Sequence, residues 1–109
     1  MRLEVFCRTS FEGFHCWPDA PDEVGFLRFR HRHTFHVEVK VGVVHGDRDV
    51  EFILLKRDVD GFIKETLKGD TSNWSCERWA AEILERFDAD EVTVSEDGEN
   101  GATVQRAGH

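Results

Sequence analysis

Hydrophobic and polar residues alternate almost without interruption from His31 to Val43, which predicts a β-strand with one face in the core. Because successive side chains of a strand point to opposite faces, one face carries His31, His33, Phe35, Val37, Val39, Val41 and Val43. The other face carries Arg32, Thr34, His36, Glu38 and Lys40. Two histidines at positions i and i+2 on one face can bind a single metal ion. The alternative is that both are ordinary residues near a surface end of the strand.

A second stretch with imperfect alternation, Leu3–His15, predicts another strand, and His15 lies at the end of its apolar face. If the two strands pair antiparallel, the end of the first meets the start of the second. His15 would then lie beside His31 and His33. Three histidines with an open fourth position are typical of a catalytic zinc site. The alternative is a chance gathering in a chain that has six histidines.

The middle of the chain predicts a loop followed by a helix. Prolines and a glycine between residues 17 and 30 indicate a loop or an irregular insertion between strands, with a short strand at Phe26–Phe29. Val50–Ile53 is predicted to be extended. Apolar residues at helical spacing over Leu55–Leu67 predict a helix of about 14 residues, which Gly69 ends.

The remaining residues predict one more helix and two more strands. A helix is expected over Ser75–Phe87, with Ser75 as its N-cap. Strands are expected at Glu91–Glu96 and Ala102–Gln105, joined by a hairpin turn at 97–101. The order β-β-α-α-β-β predicts an α+β fold in which two helices pack on one face of an antiparallel sheet.

Length and composition indicate how many domains the chain has and which kinds of partner it can bind. The length of 109 residues fits a single domain, residues 1–109. A net charge of -8 argues against a nucleic-acid partner, because phosphate binding needs Lys and Arg patches. No apolar run approaches the ~20 residues of a membrane span, and the N-terminus lacks a signal-peptide pattern. Three cysteines form no disulfide framework, so we expect a reduced, cytoplasmic protein.

Five segments resemble, in order, motifs of the 6-pyruvoyl tetrahydropterin synthase and 6-carboxytetrahydropterin synthase family. Phe11–His15 resembles its Phe-x-x-x-His segment, and His31–Phe35 resembles its His-Gly-His-x-Tyr/Phe segment. Glu51–Lys56 is similar to its Asp-Phe-x-x-Leu-Lys segment. Ser75–Glu77 resembles the Thr-x-Glu segment that opens its second helix, and Val92–Glu96 resembles its Val-x-Val-x-Glu strand.

The resemblance implies the tunnelling fold (T-fold), in which the four-stranded sheets of several subunits join edge to edge into a β-barrel. It implies a homo-oligomer, most often a hexamer of two stacked trimers, with sites at the subunit interfaces. It also implies a Zn²⁺ ion on His15, His31 and His33. Glu96 would anchor the ring of a pterin by accepting two N–H donors. The segment with Ser75, Cys76 and Glu77 would line the same pocket.

The chain also departs from the family pattern. Gly25–Arg30 lacks the catalytic cysteine that the family has there, and Leu67–Asp70 lacks its Asp-His pair. Of the cysteines present, Cys7 is too far along its strand and Cys16 is expected to face away. Cys76 is the candidate replacement, because a helix N-terminus favours a thiolate. The alternative for Cys76 is a small buried residue.

One further departure is Arg32, which stands between the two histidines where the family has glycine. Alternation directs Arg32 to the opposite face. Together these features predict a synthase-like protein that binds a pterin-like or purine-like ligand without the family's standard activity. One alternative is an active zinc-dependent lyase on a dihydroneopterin-triphosphate-like substrate, with relocated acid/base residues. Another is a structural oligomer with a vestigial pocket.

Overall fold

Four antiparallel strands form one sheet in the order β1-β2-β3-β4, and two helices complete an α+β fold in the predicted order. The computed structural model describes residues 1–108. The strands are β1 (Glu4–His15), β2 (His31–Gly42), β3 (Glu91–Glu96) and β4 (Asn100–Gln105), and the helices are α1 (Phe52–Thr66) and α2 (Cys76–Phe87). Within the described range, neither helix has the length and apolar run that a bilayer crossing requires.

The helices share one core with a single face of the sheet. The predicted alternation of β2 is confirmed, because Phe35, Val37 and Val39 are buried while the residues between them are not. Trp79 of α2 and Val59 of α1 belong to the same buried cluster. Each fully buried side chain of this size contributes about 1.5–3 kcal/mol relative to exposure. The rings of His15 and His33 lie against Phe35 of this core, with ring centroids 5.3 Å and 6.3 Å from that of Phe35.

The capping residues decide where the helices begin. Ser75 is the N-cap of α2 as predicted, and its Oγ accepts a hydrogen bond from the Arg78 N–H at 3.1 Å. Helix α1 begins earlier than predicted, because Glu51 Oε1 accepts the Ile53 N–H at 2.8 Å and caps the chain there. The prediction of an extended Val50–Ile53 is therefore wrong from Phe52 onward.

Helix α1 ends differently from the prediction. It stops at Thr66, and the next residue, Leu67, keeps a right-handed helical conformation. The Gly69 N–H then donates to the Thr66 carbonyl at 3.1 Å in a tight turn. Gly69 does not adopt a left-handed conformation, so the predicted glycine cap is wrong.

Residues 16–30, between β1 and β2, fold into a compact segment that we call the flap. Asp22–Arg28 forms 3₁₀-helical turns, so the strand predicted at Phe26–Phe29 is wrong. The Trp17 N–H donates to the Leu27 carbonyl at 2.6 Å and closes the base of this flap. Inside it, Arg28 Nε donates to the Ala20 carbonyl at 2.8 Å. The flap therefore stands beside the end of β1.

Candidate metal centre and adjoining cavity

Antiparallel pairing of β1 with β2 brings three histidines together. The register sets His15 directly opposite His31, and His33 opposite Gly13. One ring nitrogen from each of His15, His31 and His33 lies within 4.8 Å of the others. The predicted convergence of these side chains is confirmed. Arg32 points to the opposite face as predicted, where its Nη1 lies 3.7 Å from Glu12 Oε1.

Each of the three rings turns its Nδ1 toward an oxygen. The distances are 3.4 Å from His15 to the Trp74 carbonyl, 2.8 Å from His31 to the Phe29 carbonyl and 2.7 Å from His33 to the Asp97 carboxylate. Carbonyl and carboxylate oxygens accept hydrogen bonds, so these contacts favour a proton on Nδ1. A proton on Nδ1 leaves the Nε2 lone pair free, which is the arrangement that metal-binding histidines use.

The hydrogen-bonding state of the Nε2 atoms shows whether the site fits a metal ion. Nε2 of His15 and Nε2 of His31 are buried and have no hydrogen-bond partner in the described part of the chain. Buried polar atoms are normally paired, so these two call for an unseen partner. Burial also lowers the pKa of His15, an effect that the Trp74 carbonyl and Glu96 oppose, and the lowered pKa favours the neutral ring that binds metal. Three neutral imidazoles fit a zinc ion with an open position.

Glu96 lies against the histidine cluster. Its Oε1 is 3.3 Å from His15 Nε2, and its Oε2 is 3.5 Å from His33 Nε2. His15 Nε2 and Glu96 Oε1 are close but form no hydrogen bond, which agrees with the unpartnered nitrogen. The carboxylate oxygens thus keep acceptor capacity for a ligand that arrives beside the histidines.

A cavity of about 650 Å³ opens beside this cluster. Its walls include every predicted ligand-binding residue, namely Ser75, Cys76, Glu77 and Glu96, together with His15 and His31. His33 is not part of the wall, although its Nε2 lies 3.5 Å from Glu96 Oε2. The volume falls within the range of small-molecule sites, roughly 300–1,000 Å³.

Several wall residues were missed by the sequence interpretation. They are Cys16, Trp17, Asn73, Trp74 and Asn100. The prediction that Cys16 faces away from the site is wrong, because β1 ends at His15 and alternation stops there. The Cys16 N–H instead donates to the Ser72 carbonyl at 2.7 Å, which joins the residue after β1 to the loop before α2.

Cys76 is buried at the start of α2, within the core. Burial raises the pKa of its thiol to about 12, and the charges of Glu96 and Glu77 add to the effect. The expectation that the helix N-terminus favours a thiolate is therefore wrong for this residue. The structure supports the alternative reading of Cys76 as a small buried side chain.

A second, shallower hollow of about 470 Å³ lies between β1 and α1. Its walls include Thr9, Asp60 and Lys64 but none of the predicted site residues. The chemistry that the sequence predicts is therefore gathered at the histidine cavity.

No family model matches this chain, and no curated protein matches it significantly.

Proposed function

We propose that this chain is a 6-pyruvoyl tetrahydropterin synthase-like protein of the tunnelling fold. It binds zinc through His15, His31 and His33, and a pterin-like or purine-like ligand in the adjoining cavity, without the family's standard activity. One observation carries the proposal. His15, His31 and Glu96 line a cavity large enough for a bicyclic ring, and ring nitrogens of His15 and His31 lie within 4.8 Å of one of His33.

The residues around the cavity have complementary tasks in this proposal. Glu96 accepts paired N–H donors from the edge of an amino-pyrimidine ring, and Glu77 offers a second acceptor on the same wall. Trp74 and Trp17 supply aromatic surface for a planar ligand. A bound zinc ion would polarise oxygen atoms of the ligand as a Lewis acid. The Nε2 lone pairs of the histidines are available to a metal ion because their Nδ1 atoms already form hydrogen bonds.

We propose that the chain lacks the family's standard reaction because other residues stand where the family has its catalytic groups. In the described chain, Gly25–Arg30 carries no thiol or imidazole. The raised pKa keeps the Cys76 thiol protonated near neutral pH. A protonated, buried thiol neither attacks nor accepts a proton readily.

One observation favours the alternative, an active zinc-dependent lyase. Cys16 lines the cavity directly after His15 and is only half-buried, so it could serve as a relocated acid/base residue. Turnover of 7,8-dihydroneopterin triphosphate by the full chain, lost in Cys16→Ser, would establish the alternative. Absence of turnover by the wild-type chain would eliminate it.

The assembly proposed is a homohexamer built on a barrel of joined sheets. Strands β1 and β4 are the two edges of the sheet, and exposed edges favour pairing with another chain. Phe6 and Phe14 are half-exposed on the face of β1 opposite the core. These features support association of several copies.

Calorimetry with the zinc-loaded chain tests the ligand. We expect saturable binding of 7,8-dihydroneopterin or of a guanine nucleoside, with one ligand per chain. Failure of pterins and purines alike to bind would overturn the proposed function.

A further inference from the structure

The carboxylate of Glu96 lies against two of the three clustered histidines at once. Its Oε1 is 3.3 Å from His15 Nε2, and its Oε2 is 3.5 Å from His33 Nε2. The strand register explains this position, because Glu96 pairs with Phe35 and the rings of both histidines lie against Phe35. All of these residues belong to one chain, so the contacts do not depend on what another subunit adds to the cavity.

Both nitrogens that face Glu96 present a lone pair. His33 Nδ1 lies 2.7 Å from the Asp97 carboxylate, and His15 Nδ1 lies 3.4 Å from a carbonyl oxygen. These contacts favour a proton on Nδ1 and leave Nε2 without one. His15 Nε2 accordingly has no hydrogen-bond partner in the described part of the chain, although a carboxylate oxygen is close. A lone pair and a carboxylate oxygen repel each other at this range, and a cation between them makes the contact attractive.

The spacing is that of ligands that share one tetrahedral ion. Zinc bonds of about 2.0–2.1 Å to nitrogen and oxygen, at tetrahedral angles, place neighbouring ligand atoms roughly 3.3 Å apart. The Glu96 oxygens lie 3.3 Å and 3.5 Å from their two histidine nitrogens. The carboxylate therefore stands where a fourth ligand of the histidine site would stand.

We propose, on the basis of the function above, that Glu96 is the fourth ligand of the metal ion while the cavity is empty, and that a bound heterocycle takes the carboxylate from the metal. The site of the free chain is then closed by three imidazoles and one carboxylate. Paired N–H donors of an amino-substituted ring compete for the same two oxygens. Release of Glu96 opens a position on the metal beside the ligand, so ligand binding and opening of the metal site are coupled.

The Co²⁺-loaded full chain tests the ligation, because the visible spectrum of Co²⁺ changes with its ligands. Neutral imidazole is the probe. In the wild type it has to displace a carboxylate, whereas in Glu96→Gln it displaces water. We expect imidazole to bind Glu96→Gln at least about tenfold more tightly. A carboxylate that acts only through its charge would leave the affinity of this neutral probe unchanged.

Glu99→Gln is the matched control. It removes a carboxylate in the exposed turn just beyond Glu96. This variant should keep the Co²⁺ spectrum and the imidazole affinity of the wild type. The same spectrum and the same imidazole affinity in the wild type and Glu96→Gln would overturn the inference.

Addition of 7,8-dihydroneopterin tests the displacement of Glu96. The Co²⁺ spectrum of the wild-type chain should change over the concentrations at which calorimetry detects binding. Calorimetric binding without a spectral change would overturn the inference and leave the proposed function standing. Failure of pterins and purines to bind, with the imidazole difference intact, would instead remove the proposed function and the displacement step, and would support the ligation by Glu96.

Discussion

His33 Nδ1 lies 2.7 Å from Asp97 Oδ2, which ties the histidine cluster to the turn between β3 and β4. The other carboxylate oxygen accepts the Thr34 N–H at 3.0 Å. The hydrogen bond from His33, followed by that from Thr34, holds the pKa of Asp97 below its usual value. The carboxylate is therefore ionised at neutral pH and orients the His33 ring.

Asp97→Asn tests this orienting contact. Asn tolerates the left-handed backbone of this position and keeps one acceptor oxygen, but it loses the charge. We expect zinc affinity to fall about 10- to 100-fold, the usual effect of losing such a partner. Competition with a chromophoric chelator measures the change. Asp47→Asn, in an exposed turn away from the site, is the control, and an equal affinity in both variants would contradict the assignment.

The metal site itself is tested by removing one histidine. The purified chain should carry about one zinc ion, and His33→Ala should lose it because two imidazoles bind zinc far more weakly than three. His36→Ala is the matched control, since His36 lies on the same strand but is exposed on its opposite face. Elemental analysis that finds no zinc in wild-type protein prepared without chelators would refute the site.

The three cysteines should differ in reactivity. Cys7 and Cys76 are buried and burial raises the pKa of both thiols, whereas Cys16 is partly exposed at the cavity wall. We expect one fast-reacting thiol per native chain with a disulfide reagent at neutral pH, and none in Cys16→Ser. Three thiols reacting at equal rates in native protein would show that the core packing described here is wrong.

The assembly is tested by sedimentation. We expect a closed homohexamer, with a mass about six times that of the chain, because two free sheet edges and the exposed Phe6 and Phe14 favour association. A stable monomer of 12.6 kDa at micromolar concentration would contradict this expectation.

The paired strands could be predicted from sequence because alternation determines both the face and the register. His15 ends β1 and His31 begins β2. Antiparallel pairing of these two strands therefore places the two histidines side by side. Ser75 could also be assigned, because a serine before a helical pattern has one dominant use. These elements depend on local rules, which the sequence carries directly.

The cavity wall could not be predicted in the same way. Cys16 lies in the wall because its N–H donates a hydrogen bond to the Ser72 carbonyl. Trp74 lies in the wall because the loop before α2 folds over the end of β1. Such contacts join loops distant in sequence, and no periodic pattern encodes them. The start of α1 was misplaced because Phe52 and Ile53 have strand-forming side chains, and the capping carboxylate of Glu51 overrides that preference.

The central claim is that Glu96 anchors a pterin-like ligand, and calorimetry on Glu96→Gln tests it most directly. The substitution keeps the size of the side chain but turns one acceptor oxygen into a donor that faces a donor. We predict that it weakens 7,8-dihydroneopterin binding at least about a hundredfold, or roughly 2.7 kcal/mol, consistent with charge-assisted hydrogen bonds. Glu99→Gln, in the exposed turn just beyond, should bind as the wild type does. Equal affinity in the wild type and Glu96→Gln would contradict the account.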